Sequence, residues 1–153
     1  MKLVASAIGV ALVLIYVVGS GLWVNTGDGW YRGLNQPSWQ PPDFIFGIIW
    51  PYNFIVLGFA AVIVSQRLSA ALVATYLSVF AITVACALTW AYQFYRPHNL
   101  EAASTALTCV AVLTIALVVI ASRASWPLAF ALMPYQVWVS IASVLSWGYA
   151  RAN

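Results

Sequence analysis

Charge is what this sequence has least of. Only 6% of its 153 residues are Asp, Glu, Lys or Arg, whereas about 25% are charged in a typical soluble domain. This excludes a soluble globular protein. The six basic residues are dispersed along the chain and form no cluster, so the sequence predicts no nucleic-acid interface.

Residues that carry acid–base or metal chemistry are also scarce. The chain has one histidine, three acidic residues and two cysteines, Cys86 and Cys109, and neither cysteine has a histidine or acid at metal-ligand spacing. We therefore expect no metal site and no covalent cofactor. No ionisable residue lies deep within a long apolar run. Since such residues usually mark ion pathways and proton relays, this argues against an ion-coupled pump and against hydrolytic catalysis.

Apolar residues dominate instead, at 64% of the chain. They form five charge-free runs, each long enough to meet the roughly 20 residues that span a bilayer as a helix. The predicted fold is an all-α membrane protein, a single domain of five transmembrane helices in a compact bundle, with helices at about 3–24, 44–65, 69–95, 101–122 and 126–150. Basic residues divide equally between the two sides, so the positive-inside rule does not orient the chain.

The first connection, about 25–43, is the only long one, and it is rich in proline and tryptophan. Proline fixes φ and restricts the residue before it, so such a loop loses little entropy when it becomes ordered. We interpret this segment as a lid or binding loop. By contrast, predicted helix 4 has no aromatic residue, which favours a packing or lipid-facing role.

Aromatic residues recur at helical spacing in predicted helices 3 and 5. Trp90 and Phe94 are i, i+4 neighbours, and Tyr135, Trp138, Ala142 and Leu145 follow a 3,4,3 spacing. Two aromatic stripes under an aromatic loop suit a pocket for a flat apolar ligand. They suit ordinary helix packing as well, and the pattern alone leaves both interpretations open.

These residues together resemble a known family, that of the tryptophan-rich sensory proteins, which includes the mitochondrial translocator protein. The resemblance is carried by Trp30-Tyr31-x-x-Leu34-x-x-Pro37-Ser38-Trp39-x-Pro41-Pro42-x-x-x-Phe46-x-x-x-Trp50, by Trp90-x-x-x-Phe94-Tyr95 and by Pro134-Tyr135-x-x-Trp138-x-x-x-Ala142-x-x-Leu145. It covers nearly the whole chain, and the loop motif is specific.

The resemblance implies a five-helix bundle, often dimeric, that binds porphyrins such as protoporphyrin IX between its helices and under the first loop. Other expected partners are membrane lipids and, through a homodimer, a second copy of the chain. With the two stripes, it gives ten candidate ligand-binding residues: Trp39 as the lid, Trp50, Phe54, Trp90, Phe94, Tyr135, Trp138, Ala142, Leu145 and Ser146.

The chain departs from the family pattern at several polar positions. Thr83 and Ala87 stand where members often carry Gln and Asn, Ser146 replaces a common Asn, and Phe54 replaces an aromatic residue with a hydroxyl. We therefore expect a more apolar pocket with an altered preference for polar ligand groups.

Three functions remain open from the sequence. The first is a porphyrin-binding protein with a sensory, sequestering or trafficking role. The second is a light- and oxygen-dependent porphyrin-degrading enzyme, in which Trp39 and Trp138 are the candidate oxidisable residues. The third is a small transporter of hydrophobic compounds. Leu145, Tyr149 and Arg151 also satisfy a weak sterol-contact pattern. Because no Arg/Ser-rich leader is present, we expect a prokaryotic cytoplasmic membrane.

Overall fold

A computed structural model describes all residues of the chain, 1–153. Its regular elements are all helices, with no β-strand: α1 (Lys2–Trp23), α2 (Gly29–Gly33), α3 (Asp43–Arg67), α4 (Ala70–Tyr95), α5 (Leu100–Ala124) and α6 (Trp126–Ala152). The five long helices are each apolar and long enough to cross a membrane. The prediction of an all-α membrane protein with five spans is confirmed.

The five long helices form a closed ring. Around the bundle, α1 packs on α3, α3 on α6, α6 on α5, α5 on α4, and α4 on α1. Gly9 of α1 permits one close contact, because a Cβ built there would lie 2.5 Å from the Cβ of Ala61 in α3. The ring leaves one end of the bundle interior open between α1, α3, α4 and α6, and the long connection lies over that end.

Apolar side chains cover both the inside and the outside of the ring. The main core contains 20 buried residues, with Tyr16, Leu57, Tyr76 and Phe80 among the most buried. Many large apolar residues are exposed on the outside, such as Phe59 on α3. An exposed apolar surface of this extent is what a helix in contact with lipid requires.

Basic side chains at the helix ends bind backbone carbonyls of neighbouring helices. The Lys2 ammonium donates to the Gln66 carbonyl at 2.6 Å, and the Arg96 guanidinium donates to the Leu22 carbonyl at 3.2 Å. At the same bundle end as Lys2, Arg67 donates to the Ala124 carbonyl. The last carbonyls of a helix lack intrahelical partners and carry partial negative charge, so these contacts satisfy them.

Hydrogen bonds between side chains join α5 to α6. The hydroxyls of Ser104 and Ser146 lie 2.9 Å apart, as do those of Thr108 and Ser143. The Trp147 indole N–H also donates to the Thr108 hydroxyl. We call these five residues the polar seam. It supports the interpretation of predicted helix 4, now α5, as a packing element.

The long connection contains a helix that the sequence analysis did not predict. The Asp28 carboxylate accepts a hydrogen bond from the Tyr31 backbone N–H at 2.8 Å, which caps the five-residue helix α2. Further along, Asn35 exchanges hydrogen bonds with Asn153: its N–H donates to Asn153 Oδ1 at 2.8 Å, and its carbonyl accepts from Asn153 Nδ2 at 3.2 Å. The connection is therefore anchored to the end of α6.

Candidate functional site

A cavity of about 760 Å³ lies under the long connection, at the open end of the ring. A volume of this size falls within the roughly 300–1,000 Å³ of small-molecule pockets. Every long helix except α5 contributes to its wall. The lining residues are Val17, Ser20, Gly21, Val24, Thr26, Gly27, Tyr31, Arg32, Gln36, Asp43, Phe46, Gly47, Trp50, Phe54, Trp90, Phe94, Tyr95, Trp138, Ala142, Leu145, Ser146 and Tyr149.

Aromatic rings form most of the cavity wall on α3. Trp50 and Phe54 are separated by one helical turn, and their rings stack with centroids 5.6 Å apart. Tyr16 of α1 packs edge-on against both rings, at 6.1 and 5.1 Å. These contacts fix the two cavity-facing rings from behind, so the wall is formed before any ligand binds.

Aromatic pairs also connect the wall across the helices. Phe46 of α3 meets Trp138 of α6 edge-on, with ring centroids 5.0 Å apart. On α4, Trp90 and Phe94 lie at i, i+4 with centroids 6.0 Å apart. A flat conjugated molecule between these surfaces would be in contact with aromatic rings from three helices.

Proline creates one polar point in the α3 wall. Pro51 lies inside the helix and has no N–H to donate to the carbonyl of Gly47, one turn earlier. Gly47 lines the cavity, and no side chain lies near the position of its missing Cβ. The α3 backbone can therefore approach a ligand closely there.

Eight of the ten predicted ligand-binding residues line this one cavity: Trp50, Phe54, Trp90, Phe94, Trp138, Ala142, Leu145 and Ser146. Their role in binding stays a prediction, but the two aromatic stripes do converge. Trp39 and Tyr135 are not in the lining. Trp39 is 50% exposed in the connection, and Tyr135 is completely buried in the main core. Of the two indoles proposed for photochemistry, only Trp138 lines the cavity.

The positions that depart from the family pattern lie in different surroundings. Thr83 and Ala87 are buried in the core of the ring and do not line the cavity. The Thr83 hydroxyl donates to the Val79 carbonyl of its own helix. Neither residue contributes a polar atom to the cavity wall, and the expectation of a more apolar pocket stays a prediction. Phe54 and Ser146 do line it.

Sequence reasoning missed the contribution of α1 and of the polar mouth. Val17, Ser20 and Gly21 of α1 line the cavity. The available signal was the helical spacing of Ser6, Gly9, Tyr16 and Ser20, the small or polar residues that mark the inner face of α1. Arg32 and Asp43 line it from the connection and from the start of α3. The sequence has only nine charged residues. The presence of two of them, Arg32 and Asp43, in or beside the long connection was the signal that could have predicted a polar cavity mouth.

Tyrosine hydroxyls close the α6 side of the cavity. The Tyr149 hydroxyl donates to the Gln40 side-chain oxygen and lies 3.4 Å from the Tyr31 hydroxyl, so α6 is bonded directly to the connection. In the sterol-contact pattern, Leu145 and Tyr149 are buried and line the cavity, whereas Arg151 is exposed at the helix end. That pattern stays a prediction.

Two indole nitrogens beside the cavity have no hydrogen-bond partner. They belong to Trp90 and Trp138, and both are buried. The rings instead make edge contacts, Trp138 with Phe46 and Trp90 with Tyr95. Neither a cluster of metal-binding side chains nor a disulfide is present.

Comparison with known proteins agrees with this architecture. Residues 7–151 match the TspO/MBR family. The uncharacterized membrane protein YtaB of Bacillus subtilis is 30% identical over all of this chain and 99% of its own length. The human translocator protein is 28% identical, over 89% of this chain and 82% of its own. The tryptophan-rich sensory protein of Cereibacter sphaeroides is 27% identical, over 94% and 92%. The chain is therefore a multi-pass integral membrane protein that belongs to the TspO/MBR family.

Proposed function

We propose that the protein binds porphyrin-type tetrapyrroles, of which protoporphyrin IX is the test case, in the cavity under the connection. The observation that carries the proposal is the convergence of five aromatic side chains from α3, α4 and α6 on one cavity: Trp50, Phe54, Trp90, Phe94 and Trp138. A flat conjugated macrocycle gains both burial and stacking from such walls.

The absence of acid–base groups from the cavity interior favours binding over hydrolytic chemistry. The charged lining residues, Arg32 and Asp43, lie at the mouth. We further propose a sensory, sequestering or trafficking role in a prokaryotic cytoplasmic membrane. It is consistent with the bacterial relatives named above, one of which is called a sensory protein.

Tryptophan fluorescence provides the test, because a bound porphyrin quenches indoles close to it. Purified protein in detergent is titrated with protoporphyrin IX, and saturable quenching is expected. Trp138→Phe removes a cavity indole and is expected to weaken binding roughly two- to tenfold, the range of one aromatic contact. Trp126→Phe is the matched control, since Trp126 is 68% exposed and does not line the cavity.

Trp39→Phe separates a lid role from a wall role. If Trp39 acts only by covering the cavity, its replacement is expected to speed porphyrin dissociation more than Trp138→Phe does, at similar initial association rates. The absence of saturable quenching in the wild type would contradict the proposed function.

A further inference from the structure

The cavity mouth has one positively charged side chain that has no hydrogen-bond or ion-pair partner within the protein. Arg32, in the last turn of α2, lines the cavity. Its guanidinium makes no hydrogen bond and no ion pair within the protein, although it carries five N–H donors. No other basic residue lines this cavity.

Arg32 is the only basic residue that both lines the cavity and has no partner within the protein, since Arg123 and Arg151 also make no hydrogen bond or ion pair but do not line it. Lys2, Arg67 and Arg96 each donate to a carbonyl at the end of a neighbouring helix, and this accounts structurally for each of them. Arg151 lies at the same bundle end as Arg32 and is exposed, but it does not line the cavity. It therefore provides a matched comparison for charge alone.

The opposite charge at the mouth is also unpaired. Asp43 lines the cavity from the first turn of α3, and the structure contains no ion pair between it and Arg32. The two charges thus act separately on a ligand. One attracts an anionic group, and the other repels an anionic group placed at the α3 side.

We propose that Arg32 binds a carboxylate of the ligand, and that Asp43 restricts that carboxylate to the α2 side of the mouth. The inference rests on the proposed function and adds to it the chemical class of the ligand, a flat apolar body with an acidic edge. The guanidinium matches a carboxylate with two parallel N–H···O bonds. Because the aromatic walls lie deeper, the apolar body enters the cavity and the acid remains at the mouth.

The test compares protoporphyrin IX with its dimethyl ester, which has the same macrocycle and no carboxylate. Fluorescence titrations in one detergent give the ratio of the two affinities for each variant. Arg32→Gln is expected to weaken binding of the acid about threefold to tenfold, the range between an exposed ion pair and a bidentate one, and to leave the ester unchanged. Asp43→Asn is expected to strengthen binding of the acid only.

Arg151→Gln removes an equal charge from the same bundle end and is expected to leave the affinity ratio at the wild-type value. Raising the salt concentration is expected to weaken acid binding by the wild type but not by Arg32→Gln. Equal weakening of acid and ester by Arg32→Gln would overturn the inference, since it indicates a structural role. No effect on either compound would overturn it as well. If the wild type bound neither compound, the proposed function would fail, and this inference with it.

Discussion

The indole of Trp30 stacks on the imidazole of His98, with ring centroids 3.7 Å apart and an angle of 10° between the planes. Trp30 belongs to α2 in the long connection, and His98 to the turn between α4 and α5. The Trp30 ring also meets Phe94 of the cavity wall edge-on at 5.7 Å. His98 is exposed in that turn, and its ring joins the connection to the bundle.

Replacing His98 is expected to loosen the connection. His98 has φ 60°, the left-handed region that asparagine and glycine tolerate. His98→Asn and His98→Gly therefore both remove the ring without added backbone strain. Loss of about 1 kcal/mol of stacking predicts roughly fivefold faster trypsin cleavage after Arg32 in both variants. Cleavage is followed by mass spectrometry, and an unchanged rate in both would show that the stack does not hold the connection.

The bonds between Asn35 and the end of α6 make a second, independent prediction. Asn153→Ala removes the side chain that accepts from the Asn35 N–H and donates to its carbonyl. We expect faster dissociation of bound porphyrin, since the connection must move for the ligand to leave. Arg151→Ala is the control, because Arg151 makes no hydrogen bond with the connection. Stopped-flow recovery of fluorescence measures the rate, and equal rates in both variants would contradict the prediction.

Gly9→Ala is expected to destabilise the bundle. The added methyl group would lie 2.5 Å from the Ala61 Cβ, so α1 and α3 must separate. Overpacking of this kind costs about 1–3 kcal/mol. Gly58→Ala is the control, because nothing lies within 4 Å of its added Cβ. There the higher helix propensity of alanine predicts a neutral or stabilising effect. Thermal unfolding in detergent compares the two, and a Gly9→Ala midpoint at or above the Gly58→Ala midpoint would contradict the prediction.

Asn53→Leu is expected to stabilise the protein. The Asn53 side chain is fully buried, and neither of its amide atoms has a hydrogen-bond partner. An unpaired buried polar group costs about 1–3 kcal/mol, and leucine of similar size removes it. Thr114→Val is the matched control, because Thr114 is equally buried but donates to the Val110 carbonyl at 2.8 Å. A lower unfolding midpoint for Asn53→Leu would mean that the amide has a partner in solution.

The spans were predictable because the bilayer imposes a simple length requirement on apolar runs. The aromatic stripes of α4 and α6 were predictable because i, i+3 and i, i+4 neighbours share a helix face. Tyr135 shows the limit of that reasoning. It belongs to the same stripe as Trp138, yet it lies in the main core, since periodicity gives the face of a helix but not the depth at which a cavity ends.

Trp39 and Arg32 show a second limit. Both lie in the proline-rich connection. Because this segment is mostly irregular, residue spacing does not predict which side chains point into the cavity, and the family motif favoured Trp39. The structure instead places Arg32 at the cavity and leaves Trp39 half exposed. The order of the helices around the ring was not predictable from the apolar runs alone. Residues that face lipid and residues that face another helix are both apolar, so the sequence does not show which helices are neighbours.

The polar seam between α5 and α6 fixes the direction of its protons. The Ser104 hydroxyl donates its only proton to the Leu100 carbonyl, and the Thr108 hydroxyl donates its only proton to the Ser104 carbonyl. Ser146 must therefore donate to Ser104, and Ser143 to Thr108. The Ser146 hydroxyl then offers the cavity lone pairs alone. At this point of its wall the protein accepts a hydrogen bond and gives none, so any molecule that bonds to Ser146 has to present an N–H or O–H toward α6.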